Sequence, residues 1–266
     1  MRIKNRYVLV LILTAGLILT ASLNINASTS NDLQDVLDKT VQRVLSYPEL
    51  INWKASVLAT MYEMDKRWEP KKKTVVEKIV LMKEKYRSES IKSAVEIKKG
   101  KSKDVTQKYV NQAYKAREKA ARERKKAKNN DDTGEDTHRR MELDIEEMLP
   151  FSEKNRQKYE FALLDDVNLD GVTAYVIEAR CKERTKDLLE GKFFINQETW
   201  DILRAELQLA KNPSAVKLME MALDFYVLPE GHLVVKKMYF RIHVGLVVKN
   251  FRREATEEYF DYQILE

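Results

Sequence analysis

The chain has 266 residues, a formal net charge of +6 and a single cysteine, Cys181, so no internal disulfide can form. The charge is local. Residues 1–27 carry three Lys/Arg and no acid, residues 103–128 carry ten Lys/Arg against three Asp/Glu, and the remainder is net −4. A domain-wide basic surface is thereby excluded; the basic character is one local element, and the export signal read below argues against nucleic acid as its partner.

The first 27 residues read as a secretory signal. Arg2, Lys4 and Arg6 form a basic start, Tyr7 to Leu23 is an apolar run, and Ile25-Asn26-Ala27 before Ser28 is a small-residue cleavage site. Cleavage places the protein in the periplasm or outside the cell. The alternative is an uncleaved anchor, because seventeen apolar residues just span a bilayer. No later stretch is long and apolar enough to span. Residues 28–266 are then enough for one domain.

Next comes a helix from Ser30 or Asn31 to about Tyr47, with Leu33, Val36, Leu37, Thr40, Val41, Val44 and Leu45 on one stripe and Pro48 as its stop. Trp53, Ala55, Val57, Ala59 and Met61 alternate with Lys54, Ser56 and Thr60, the period of a strand. Thr74 to Lys83 and Arg87 to Lys98 read as two more strands. The first has apolar groups on both faces, the mark of a strand covered twice or greasy outside.

The character then changes. A basic helical insertion spans about 102–138, with Val105, Tyr109, Ala113, Ala116 and Ala120 on a narrow stripe that fades into charge from Arg122 to Lys128. Asn129 to Asp136 is a polar linker, and Met141 to Leu149 forms a short helix ended by Pro150. From Tyr159 on, the chain is a ladder of about seven strands. Leu203, Ala205, Leu207 and Leu209 oppose Arg204, Glu206 and Gln208, and Met219 to Val227 and Met238 to Val244 repeat the pattern. Turns are expected at Asp170-Gly171, Glu190-Gly191, Asn196 to Thr199, Asn212-Pro213-Ser214 and Pro229-Glu230-Gly231. Ten strands curl rather than stay flat. The fold class expected is therefore α+β: a curled antiparallel sheet, an incomplete β-barrel, with helices packed on its concave face.

Chemistry-bearing patterns are few. Asp166-Val-Asn168-Leu-Asp170-Gly171 matches half of a calcium loop, but the twelfth position, which needs a bidentate Glu, is Ile177, so the segment reads as a hairpin turn. His138, His232 and His243 lack ligand spacing. There is no nucleophile elbow and no Gly-rich phosphate loop. The expectation is a protein without catalytic residues, metal or cofactor.

Gly171-Val-Thr-Ala-Tyr-Val-Ile-Glu-Ala, then Gly191-Lys-Phe-Phe-Ile-Asn-Gln-Glu-Thr-Trp-Asp-Ile-Leu-Arg-Ala-Glu, resembles the strand–turn–strand core of outer-membrane lipoprotein-sorting proteins of the LolA/LolB-like type. The turn Asn196 to Thr199 followed by Leu203-Arg204 carries most of the likeness, which covers roughly residues 30–100 and 150–264. The resemblance implies a half-barrel whose concave face holds the acyl chains of lipoproteins or other lipids; the carrier is expected to be a monomer and, for want of a positioned site, not an enzyme. No anchoring cysteine follows the signal, as in the soluble carrier rather than the anchored acceptor. The apolar-face residues expected to line the cavity are Val57, Ala59, Leu203, Leu207, Met221, Phe225, Phe240 and Ile242. The alternative is an envelope binding or regulatory module with a filled core, in which Arg122, Arg124, Lys125 and Lys126 contact a partner or an anionic membrane surface.

Overall fold

The computed structural model describes residues 28–83, 86–129, 150–151, 153–185, 188–245 and 250–265. In chain order these are α1 (Ser28–Leu45), β1 (Trp53–Met64), β2 (Pro70–Lys83), β3 (Tyr86–Lys98), β4 (Lys101–Asp104), α2 (Thr106–Asn129), the single turn α3 (Glu153–Arg156), β5 (Tyr159–Leu169), β6 (Val172–Cys181), β7 (Leu189–Asn196), β8 (Ile202–Leu209), β9 (Val216–Val227), β10 (Leu233–Gly245) and β11 (Asn250–Ile264). The helix expected at 141–149 and the linker before it lie outside the described residues.

All eleven strands form one antiparallel sheet in the order β4-β3-β2-β1-β11-β10-β9-β8-β7-β6-β5. The sheet does not close, so the expected incomplete barrel holds. The last strand enters the middle, between β1 and β10, so the N- and C-terminal strands are joined at the centre. Both edges resist further pairing. β4, Lys-Ser-Lys-Asp, is exposed throughout, and β5 breaks register between Leu164 and Val167, where Asp165 and Asp166 are exposed.

Cross-strand registers put one continuous face inward. From β2 to β7 one row across it runs Val76, Ala59, Glu257, Met238, Leu223, Ala205 and Phe193. The expected alternation holds on β1, β9 and β10, and three local expectations change. The basic segment begins as strand, because Ser102 to Asp104 pair with Val95 to Ile97, and the helix starts only at Thr106. Asp104 and Thr106 fix that start: Thr106 N donates to Asp104 Oδ1 at 2.7 Å, and the Ala94 amide donates to Thr106 Oγ1 at 2.9 Å. Glu190-Gly191 is no turn but lies inside β7, where a Cβ on Gly191 would sit 1.9 Å from the backbone oxygen of Glu206. β8 carries a bulge: Ile195 pairs with Ile202 but Phe194 with Arg204. The bulge turns Ile202 inward with Ala205 and Leu207, and turns Leu203 outward against Ala174, Val176 and Phe194.

The remaining turn expectations follow local chemistry. Asp170 (φ 51°) and Gly171 (φ 91°) both have positive φ, as a two-residue hairpin between β5 and β6 requires, and Gly171 N donates to Asn168 Oδ1 at 2.9 Å. Among the described residues no helix is long and apolar enough to cross a membrane, and no group of three or more His, Cys, Asp or Glu is placed to hold a metal ion.

Candidate functional site

The inward face has three zones. Over β5–β9 it is covered by α1. Val36 and Leu37 are 3% and 2% exposed and meet Ile177, Phe193, Ile195, Ile202, Ala205 and Leu207, with Leu33, Val41 and Val44 alongside. These positions are the 3.6-residue stripe read in the sequence. Phe151 seals the far side, 1% exposed, edge-on to Phe161 and Phe193 at 6.5 and 5.2 Å between ring centroids.

The turn that carries the family likeness holds α1 in place. Asn196 Oδ1 accepts the amides of Glu198 (2.8 Å) and Thr199 (3.1 Å), and the Trp200 amide donates to Asn196 O at 3.0 Å. Trp200, at φ 64°, lies stacked on Tyr175 at 5.6 Å, with Lys39 Nζ 4.7 Å from its ring centre. The turn thereby presents Asp201. Its Oδ1 accepts from Arg43 Nε at 2.6 Å and from the Tyr47 hydroxyl, and its Oδ2 from Thr199 Oγ1 at 2.8 Å. Burial pushes the Asp201 carboxyl up, but the Tyr47, Arg43 and Thr199 donors outweigh it and hold its pKa below the usual Asp value. The Asn196–Asp201 turn is thus the receptor for the end of α1.

Over β1–β3 the cover is Val105 and the start of the basic helix α2, which therefore packs on the sheet. Val105, 9% exposed, and Tyr109 close over Ala59, Val76 and Ala94. Beneath it the face is charged. Lys78, 7% exposed, lies between Val76 and Val80 on the apolar side of β2. Its Nζ donates to Glu257 Oε1 at 2.7 Å and Glu89 Oε1 at 2.9 Å. Arg87 Nη2 donates to Glu89 Oε1 at 2.9 Å, and the Tyr259 hydroxyl to Glu257 Oε2 at 2.6 Å. Burial raises the Glu257 pKa, but Lys78, Tyr259 and Arg87 together bring it below the ordinary value. Further along α2, Arg117 donates to the Glu89 carbonyl and, at 3.3 Å, to Ser90 Oγ, so the helix runs antiparallel to β3. The sequence reading missed this network. Its signal was there: Lys78 and Glu257 fall at positions where the alternation calls for apolar groups.

Between the two covers lies a strip on β1, β11, β10 and β9. Met61, Met219, Met221, Phe240, Ile242 and Ala255 share the inward face and stay half-buried. Of the eight residues expected to line a cavity, four reach the strip or its margin. Phe240 pairs with Met221, Ile242 lies beside them, and Phe225 packs at the edge of the α1-covered cluster. Val57 and Ala59 are buried in the β1–β2 clusters, at 1% and 4% exposure, and Leu207 is buried under α1 at 5%. Leu203 lies on the opposite face because of the bulge. Of the four basic residues, Arg122 is exposed on α2. The side chains of Arg124, Lys125 and Lys126 lie outside the described residues. An open, mostly polar depression of about 510 Å³, lined by Arg184, Gln208, Leu209, Ala210, Lys211 and Asn212, sits apart from the strip.

Solved structures similar to this chain include a putative outer membrane lipoprotein-sorting protein domain from Vibrio parahaemolyticus (10% identity, 86% of this chain and 93% of that one, TM-score 0.36). Another is a LolA superfamily protein from Nitrosomonas europaea (12% identity, 88% and 93% covered, TM-score 0.35). A third is a DUF1329 family protein from Desulfovibrio piger (11% identity, 87% and 92% covered, TM-score 0.36). No curated protein matches the chain. A family model described as "Family of unknown function (DUF5686)" matches residues 83–262, most of the sheet, and the chain belongs to that family.

Proposed function

We propose that this protein is an exported, non-enzymatic carrier that holds an acyl chain, of a lipoprotein or of another lipid, along the strip between α1 and α2. One observation carries the reading. On the face where Leu223 is 2% and Leu207 5% exposed, the adjoining Met219, Met221, Phe240 and Ile242 remain half-buried. Methionine is unbranched and polarizable, so a strip rich in it adapts to a flexible tail. Each methylene taken from water gains about 0.8 kcal/mol. Export rests on residues 1–27, with cleavage after Ala27 giving a periplasmic or secreted form.

The test is lipid extraction of protein purified from its export compartment, followed by mass spectrometry and by titration with a fluorescent fatty acid. Phe240→Asp is expected to weaken fatty-acid binding about tenfold or more, measured at a temperature where circular dichroism shows the variant folded, because a carboxylate at this half-buried position also lowers stability. Protein that is consistently empty and binds no fatty acid overturns the reading. It would favour the alternative, a module whose basic helix contacts a partner, for which loss of a pull-down with Arg122, Arg124, Lys125 and Lys126 all changed to Ser is the signature.

A further inference from the structure

Antiparallel register brings two hairpin tips, β1–β2 and β3–β4, and the facing ends of β10 and β11 to one end of the sheet. Met64 pairs with Arg252, Lys73 with Ile97, Lys98 with Lys101 and Gly245 with Asn250. The pairs β3–β4, β1–β2 and β10–β11 are therefore side by side, in the strand order β4-β3-β2-β1-β11-β10. Six strands at about 4.8 Å spacing make this row roughly 24 Å long.

The row is strongly cationic. Residues 65–73, 97–103 and 250–253 carry eleven Lys/Arg against two Asp/Glu. Lys66, Arg67, Lys71, Lys98, Lys99, Lys101, Lys103 and Arg253 are exposed. One of the two acids is engaged in the backbone: Asp65 Oδ1 accepts the amides of Arg67 and Glu69 at 2.7 and 3.0 Å. At the other end of the same six strands, residues 49–54, 83–87, 228–233 and 260–265 carry three Lys/Arg and three Asp/Glu among the described residues. The asymmetry is a property of the fold, because the three basic segments are far apart in sequence.

We propose that this row docks on an anionic membrane surface. The exposed cations sit on separate segments, the β1–β2 and β3–β4 tips and the start of β11, and a plane of mobile anionic headgroups meets them all at once. Each Lys or Arg near such a surface is attracted to it, and the attraction adds along the row. Trp68, in the β1–β2 tip with φ 63°, braces that tip against β10, its ring edge-on to His243 at 6.4 Å between centroids. It lies half-buried, with the Arg241 guanidinium 4.5 Å and the Arg252 guanidinium 5.9 Å from its ring centre. This surface is distinct from the basic end of α2. That helix leaves β4 beside Ala94 and runs toward Glu89, away from the tips. The proposal stands apart from the acyl-chain reading and survives its failure.

The experiment is vesicle co-sedimentation of protein beginning at Ser28, which holds every described element. Vesicles of phosphatidylcholine alone are compared with vesicles containing about one-third phosphatidylglycerol, at low and high salt. The wild type is expected to sediment with the anionic vesicles only, and to be released by salt. Changing Lys66, Arg67, Lys71, Lys98 and Lys101 together to Gln is expected to lower partitioning about a hundredfold or more, with the circular dichroism and melting temperature unchanged, because all five are exposed. Arg122, Arg124, Lys125 and Lys126 changed to Ser are expected to leave it within about threefold. Charge-independent binding, an undiminished hairpin variant, or loss in the helix variant instead overturns the proposal. So does binding to a soluble polyglutamate resin without binding to vesicles, which assigns the tips to an acidic protein.

Discussion

Over β5–β9 the inward face is hydrocarbon under an amphipathic helix, with Val36 and Leu37 pressed on Ile177, Phe193 and Ile195. Over β1–β3 the same face, in the same sheet, carries Lys78, Glu257, Glu89 and Arg87 beneath a basic helix that contributes Val105 and Tyr109 only at its start. The two halves are stabilised differently. The first depends mainly on area removed from water, with the Asp201 clamp at the end of α1 as its titrating part. The second depends on partners being present together, because a buried charge without its counter-ion is far costlier than the pair.

Single substitutions break the halves in distinguishable ways. Lys78→Met is expected to cost about 3 kcal/mol by taking the buried cation from Glu257 and Glu89, which keep only the more exposed Arg87, and Phe193→Ala about 3–5 kcal/mol by opening a cavity under α1. Urea unfolding measures both, and only the Lys78 loss should shrink as pH falls and the carboxylates protonate. Gly191→Ala follows at about 2–3 kcal/mol, since its Cβ meets the Glu206 carbonyl and the strand must shift.

The pH dependence sharpens the contrast. Glu257 and Asp201 have folded pKa values below their ordinary 4.5 and 3.8. A depressed carboxylate stabilises fully above its unfolded pKa and loses that contribution as pH falls through the folded one. Stability is therefore expected to be level above about pH 6 and to decline below about 4.5. Glu257→Gln should flatten the upper part of that decline and Asp201→Asn the lower part, read from urea midpoints across pH. The smallest effect expected is Asn196→Ala, about 1 kcal/mol from the lost turn bonds, seen as a lower melting temperature and altered Trp200 fluorescence.

The covered half was legible in the chain, for α1 shows its stripe over one stretch of sequence and β9 and β10 show their period. The likeness centred on Asn196 to Thr199 also pointed to the element that receives α1, although Asp201 as the acceptor of Arg43 and Tyr47 was not legible. The charged half was not read. Lys78 and Glu257 are 179 residues apart and look like misplaced surface charges until β1 lies between their strands. The bulge at Leu203 was likewise hidden, because one extra residue in a strand changes faces without changing composition.

By itself the sequence determined which segments alternate, where α1 begins its apolar stripe, and which turns carry Asp-Gly or an Asn side chain, because these are set by neighbours within a few residues. The tertiary structure decided the rest. It set which strand faces look inward, how much apolar surface α1 and α2 leave half-exposed between them, and that three basic segments share one end. Those depend on pairing residues distant in the chain, and a one-residue change of register reverses every face.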